Sequence, residues 1–322
     1  MRYSLRLKYF AIWLIAISAL STAHAQPAAD AAAHPLIGQI WDTRSQRAAT
    51  INDIEQRLRD SRFVLLGEVH DNSAHHRIRR DLIAAMVRDG GRPAIAMEQF
   101  DREKQDALDR AIVARPPDVE RIRNATQFND MGWQWPDYAP IIRLALDNGL
   151  PLLAANLSRN DAFRIATSTA TAVLGIESVA ELRLSQPLPE AAQRKLERAI
   201  DDGHCGKAPA KILPGMIAAQ RARDAVMAQI LQRHSASGVV LIAGNGHVRR
   251  DFGVPHYLHA HTAPENIIAV GFIEVQDSMK TPGGYFDASN PEYDYIVFTA
   301  RVAREDPCAN LNFKPRQPMA QP

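Results

Sequence analysis

The stretch Phe63-Val64-Leu65-Leu66-Gly67-Glu68-Val69-His70-Asp71-Asn72-Ser73-Ala74-His75-His76 leaves this chain few ways to fold. Four bulky apolar residues in succession fit a strand buried on both faces, the kind found inside a parallel sheet. The chain then passes at once into a carboxylate, three imidazoles and a run of capping residues. Glu68 and His70 are two apart, so extended backbone projects them from the same side. Asn72 or Ser73 can cap the helix traced by Ile78, Leu82, Ile83, Met86 and Val87. The unit is a strand, an acidic-basic elbow and a helix.

The same grammar recurs. Buried-strand patterns at 93–98, 151–155 and 238–243 end on Glu98, on Asn156 and on Gly244-Asn245-Gly246-His247. Helical periodicities follow or separate them, with a cap at Asn52 or Asp53 before the first strand and a glycine stop at Gly90-Gly91. Two further strands, 266–275 and 293–299, read as alternating. Strands interleaved with helices predict an α/β fold, a mostly parallel sheet flanked by helices on both faces, with a largely helical insertion over about 157–237. One domain is expected over 26–308, followed by a disordered tail at 309–322.

Composition narrows the classes of function. Lysine and arginine total 38 against 36 acidic residues in 322, a formal charge of +2 that argues against a nucleic-acid partner. At the start, Arg2, Arg6 and Lys8 precede the apolar run Tyr9 to Leu20, and Thr22-Ala23-His24-Ala25 has the small residues that signal peptidase needs. Residues 1–25 are expected to be a signal peptide cleavable after Ala25. No cysteine stands there, so a free periplasmic or secreted protein is expected, not a lipoprotein. Cys205 and Cys308 are the two cysteines, and in an oxidising compartment such a pair is expected to form a disulfide.

In a parallel α/β sheet, ligands collect at the carboxyl ends of the strands. Glu68 with His70, Glu98, Asn156, and Asn245 with His247 all fall there, from four separate strand ends. Singly, each glutamate is as readily a helix cap and each histidine a core residue satisfied by backbone. Jointly, Glu68, His70, Glu98 and His247 suit a divalent metal or a metal-free acid/base set. One of His75 and His76, on the first helical turn, is expected to be solvated, and His256, His259 and His261 read as surface. The loop Phe128 to Tyr138 places two tryptophans within three positions, as a packed plug or as a wall for a flat ligand.

Gly67-Glu68-Val69-His70-Asp71-Asn72 with His75-His76, Ala96-Met97-Glu98-Gln99-Phe100 and Gly244-Asn245-Gly246-His247 resemble the ChaN-like haem-binding family. Trp133-Gln134-Trp135-Pro136-Asp137-Tyr138, Ala154-Ala155-Asn156 and Asp202-Gly203-His204-Cys205-Gly206 extend the likeness, in the same order, over most of 36–308. That family is grouped with Tiki peptidases, TraB-type proteins and erythromycin-esterase-like enzymes. The resemblance implies an exported protein that binds haem for iron uptake, as a homodimer enclosing stacked haems, with an outer-membrane partner. It implies a tyrosine as iron ligand, and Tyr138 and Tyr257 lie nearest the motif blocks. It also implies that Glu68, His70, Glu98 and His247 are a signature of the wider group, in which such positions serve metal-dependent or acid/base hydrolysis of peptides or esters.

Overall fold

The computed structural model describes residues 34–306 and 308–309; the expected signal peptide and all but the first residue of the tail lie outside them. Eight strands form one sheet in the order β2-β1-β8-β7-β3-β6-β4-β5, with β1 at Ile40–Asp42, β2 at Arg47–Ala49, β3 at Phe63–Leu66, β4 at Ala94–Asp101, β5 at Leu152–Asn156, β6 at Val239–Ile242, β7 at Ile267–Glu274 and β8 at Tyr295–Thr299. From β8 to β5 every pairing is parallel, and only the β1–β2 hairpin and its seam with β8 are antiparallel. This is the mostly parallel α/β sheet that the strand-helix alternation predicts.

The period-two rule sorts the central strands between two cores. Val64, Leu66, Ile95 and Met97 face one core, shared with helices α1 (Ile51–Asp60), α2 (Ser73–Arg88), α3 (Gln105–Val113), α4 (Val119–Thr126) and α5 (Trp135–Asp147). Phe63, Leu65, Ala94 and Ala96 face the other. That side is covered by α6 (Arg159–Thr167), α7 (Ala170–Leu174), α10 (Leu213–Arg233) and α11 (Val254–Leu258), with Leu182 just past the end of α8 (Ile176–Glu181). Between α8 and α10, helix α9 (Glu190–Gly203) sits on a small apolar cluster of its own, with Leu188, Ala192, Leu196, Ile217 and Phe252.

Several local expectations need correction. Thr50, not Asn52 or Asp53, caps α1, because Thr50 and Asp53 satisfy each other's backbone N–H groups in a capping box. Strands β7 and β8 do not alternate: β8 is buried throughout and β7 over its first six residues, since both have sheet neighbours and are covered on both faces. Both His75 and His76 are buried, at 0% and 2% exposure. His75 accepts from Val69 N at 2.9 Å through Nδ1 and bonds Thr299 Oγ1 at 2.7 Å through Nε2. Its full set of internal partners replaces the expected solvation.

Cys205 and Cys308 are joined in a disulfide spanning 103 positions, as the even pair predicts. The bridge ties the turn that ends α9 to the segment after β8. In that segment Arg304 pairs with Asp71 and with Glu274, each at 2.7 Å.

Candidate functional site

The elbow after β3 is set by a glycine. Gly67 carries no Cβ because one would lie 2.2 Å from Asn245 Oδ1. That close approach lets the Asn245 amide bond both Phe272 N and Phe272 O, latching the β6 loop to the edge of β7. Asn72 caps α2 by accepting from Ala74 N at 3.0 Å, so the helix begins directly behind the elbow. Glu68, His75, His76 and Arg79 are thereby gathered beneath it.

Glu68 is 2% exposed, hydrogen-bonded through one carboxylate oxygen and ion-paired through the other. Oε1 accepts from His70 Nδ1 at 2.7 Å and from Tyr138 Oη at 2.5 Å, and Oε2 is ion-paired with Arg79. Burial raises its pKa, but the Arg79 charge and the His70 hydrogen bond outweigh this and hold it down at about 2. Burial lowers the pKa of His76, and Arg79, which faces its Nδ1, lowers it further against the opposing charge of Glu68; its Nε2–H donates to His70 O at 2.9 Å.

A second buried group lies beside the first. In β4 the register against β5 shifts between Met97 and Asp101, an irregularity that sets Glu98 and Gln99 at the rim. Glu98 Oε2 accepts from Gly244 N at 2.8 Å, and Oε1 lies 3.2 Å from His247 Nε2. On the other side of the ring, His247 Nδ1 donates to Asp224 Oδ1 at 2.5 Å. Burial opposes charge on this imidazole, yet the flanking carboxylates of Glu98 and Asp224 raise its pKa to about 10. Glu98 is held well below the usual carboxylate range by His247, against the pull of its burial.

His70 alone of the four presents itself to solvent, its side chain 45% exposed. With Nδ1–H committed to Glu68, the neutral ring keeps its lone pair on Nε2. Desolvation lowers its pKa, but the Glu68 hydrogen bond and the charges of Glu98 and Glu68 raise it on balance. One flank of the ring packs edge-on against Trp133, with centroids 4.5 Å apart. The other rests on Gly244, where a Cβ would come within 2.8 Å of His70 Cε1 and 3.1 Å of Nε2. The imidazole opens into a cleft of about 450 Å³ whose walls include Val69, Leu196, Ala199, Ile200 and Phe252.

The structure therefore brings Glu68, His70, Glu98 and His247 together on one rim and separates the two tyrosines from the cleft. Tyr138 is 0% exposed, its hydroxyl spent on Glu68. Tyr257 is 7% exposed, bonded to Arg221 Nε at 3.2 Å on the far side of α10. The Phe128–Tyr138 loop is a plug of edge-to-face rings, although Trp133 also reaches His70. The divalent metal expected on Glu68, His70, Glu98 and His247 finds no support. No group of three or more potential ligand side chains among the described residues is placed to hold one. Arg79 and the His247 imidazolium already fill the carboxylates' charge demand.

Two charged residues of the site had no part in the sequence reading. Arg79 and Asp224 lie within apolar helical stripes, and their positions relative to Leu82, Ile83, Met227 and Ala228 place them on buried faces. Helical spacing is the signal that could have found them.

The fold is a mostly parallel α/β sheet with an anchored, cleft-facing imidazole at its carboxyl rim. The chain belongs to the family of haem-binding uptake proteins of the Tiki superfamily, ChaN, whose pattern residues 54–258 match. The fold is similar to that of ChaN of Campylobacter jejuni, solved with cofacial haem: TM-score 0.64, 22% identity, covering 80% of this chain and 95% of that one. Weaker likenesses include an erythromycin esterase, with TM-score 0.39, 16% identity and coverage of 79% and 81%. A succinoglycan biosynthesis protein has TM-score 0.41, 13% identity and coverage of 70% and 69%. No curated protein matches.

Proposed function

We propose that this chain binds haem in the cleft between the His70 elbow and α9, with His70 Nε2 as the iron-facing nitrogen. The observation that carries the reading is the Glu68–His70 hydrogen bond. A carboxylate on Nδ1 fixes the tautomer and ring orientation that a metal-ligating histidine needs. The residues present suit the group: apolar walls for a porphyrin face, and a glycine where a Cβ would crowd the ring. Bound haem would supply the iron and its redox chemistry; the protein supplies orientation and exclusion of water. Family membership supports the same ligand.

Export and a role in haem or iron uptake belong to this proposal. They are supported by the charged-then-apolar start of the chain ending in Ala23-His24-Ala25, and by a disulfide suited to an oxidising compartment. A homodimer with facing haems and an outer-membrane partner would complete the reading. Haem titration into the chain from Gln26 to Pro322 tests it. A saturable Soret shift that is altered in His70→Ala is expected, and a flat titration overturns it.

A second reading, ester or peptide hydrolysis, is favoured by the same dyad. Glu68 and Glu98 are buried and committed, so neither activates water, but His70 held by Glu68 has the geometry of a general base. Turnover of an ester and peptide panel that is lost in His70→Ala would support it.

A further inference from the structure

Beside the haem cleft, over the ends of β4 and β5, lies a second cavity of about 200 Å³ that the haem reading leaves unused. Its lining differs in kind. Where the first cleft is walled by aliphatic side chains and Phe252, this one is lined by Gln99, Asp101, Asn156, Arg159, Arg223 and Trp133, among other polar residues. Its volume is below the ~300–1,000 Å³ of pockets for drug-sized ligands, so it suits a small molecule.

Two features ask for a partner. Gln99 is 6% exposed, and its Oε1 has no hydrogen-bond partner among the described residues. Its amide nitrogen lies 3.5 Å from Glu68 Oε1, so flipping the amide would set oxygen against oxygen. The unmet atom is therefore an acceptor closed to solvent, and because a buried acceptor left unmet is costly, a small turn of the amide toward a donor bound in the cavity is favoured. The second feature is charge of both signs in one small space. Arg159, the exposed first residue of α6, and half-buried Arg223, which donates to Asn156 Oδ1 at 2.9 Å, supply two guanidinium groups. Half-buried Asp101 supplies a carboxylate. Glu98 also borders the cavity, but its charge is matched by His247.

Guanidinium groups bind carboxylates through paired N–H donors, while Asp101 and Gln99 Oε1 are acceptors suited to an ammonium. A plain anion would leave the acceptors unmet and face Asp101, and a plain cation would face two arginines. We propose that this cavity is a binding site for a free α-amino acid, its carboxylate toward Arg159 and Arg223, its ammonium toward Asp101 and Gln99, and its side chain against Trp133. Burial, with Glu103, raises the pKa of Asp101 against the opposing effect of Arg223, and a bound ammonium would relieve that cost.

The test is a thermal-shift panel of the twenty free L-amino acids on the haem-free chain from Gln26 to Pro322, with calorimetric titration of those that stabilise it. At least one is expected to bind saturably at one site per chain. Its N-acetyl and α-amide derivatives should each bind roughly tenfold more weakly or worse, since each removes one charged contact. Arg159→Gln, at an exposed position, should weaken binding by a similar factor with the melting temperature of the free protein and the haem titration unchanged. Asp101→Asn should weaken the amino acid more than its α-hydroxy analogue. No saturable binder in the panel, equal binding of the blocked derivatives, or unchanged affinity in Arg159→Gln would each overturn the proposal. None of these outcomes depends on whether the protein binds haem.

Discussion

Glu68 Oε1 and His70 Nδ1 are 2.7 Å apart, a hydrogen bond between residues separated by one position that orients the exposed imidazole of the cleft from beneath. The carboxylate is itself fixed by Arg79 and Tyr138. His70→Ala is expected to abolish the histidine component of the haem spectrum. Glu68→Gln is expected to weaken haem about 10–100-fold through loss of that orientation. It would also destabilise the fold by ~3–5 kcal/mol, because Arg79 is left buried and unpaired. Absorption titrations beside urea unfolding curves separate the two effects.

Tyr138 gives the opposite pattern. Its hydroxyl serves Glu68 and lies outside the cleft, so Tyr138→Phe should cost ~1–3 kcal/mol of stability and leave the Soret position unchanged. A shifted Soret band in that variant, with the fold intact, would count against His70 as the iron-facing residue.

Gly244 tests the space beside the ring. A Cβ there would fall 2.8 Å from His70 Cε1, so Gly244→Ala must push the imidazole aside. Haem affinity should drop roughly tenfold or more with secondary structure retained, read by titration and circular dichroism.

The buried imidazolium makes stability depend on pH. The pKa of His247 is raised to about 10 from an ordinary value near 6.5, so the folded state holds a proton that the unfolded chain gives up over that interval. Its stabilisation is complete below about pH 6.5 and is lost as pH rises through 10, at up to ~1.4 kcal/mol per pH unit. On the acid side His75, lowered to about 4 chiefly by burial and also by Arg79, works in the other direction: stability falls as pH drops from about 6.5 toward 4. Unfolding free energies should peak near neutrality, and the alkaline limb should flatten in His247→Gln.

Much of this arrangement was legible in the chain. Apolar runs that stop at a charged residue located β3, β4, β5 and β6, and the carboxyl-end rule for parallel sheets then collected Glu68, His70, Glu98 and His247. What escaped were the residues that neutralise them. Arg79 and Asp224 sit on helices whose apolar stripes look complete without them, and a buried charge is justified only by a partner that is distant in sequence. Asp224 lies 23 positions from His247, and Tyr138 lies 70 from Glu68. The β4 register shift that turns Glu98 to the rim was hidden for the same reason, since it exists only against β5.

The Cys205–Cys308 bridge fastens the end of α9, whose Leu196, Ala199 and Ile200 wall the cleft and whose own apolar cluster is small. Cys205→Ser with Cys308→Ser should cost up to ~4–5 kcal/mol by the loop-entropy account, and should raise proteolytic cutting around 190–206 before it alters the sheet. Cys308 lies beyond β8, so this staple on the cleft wall can form only after every strand of the sheet has been made.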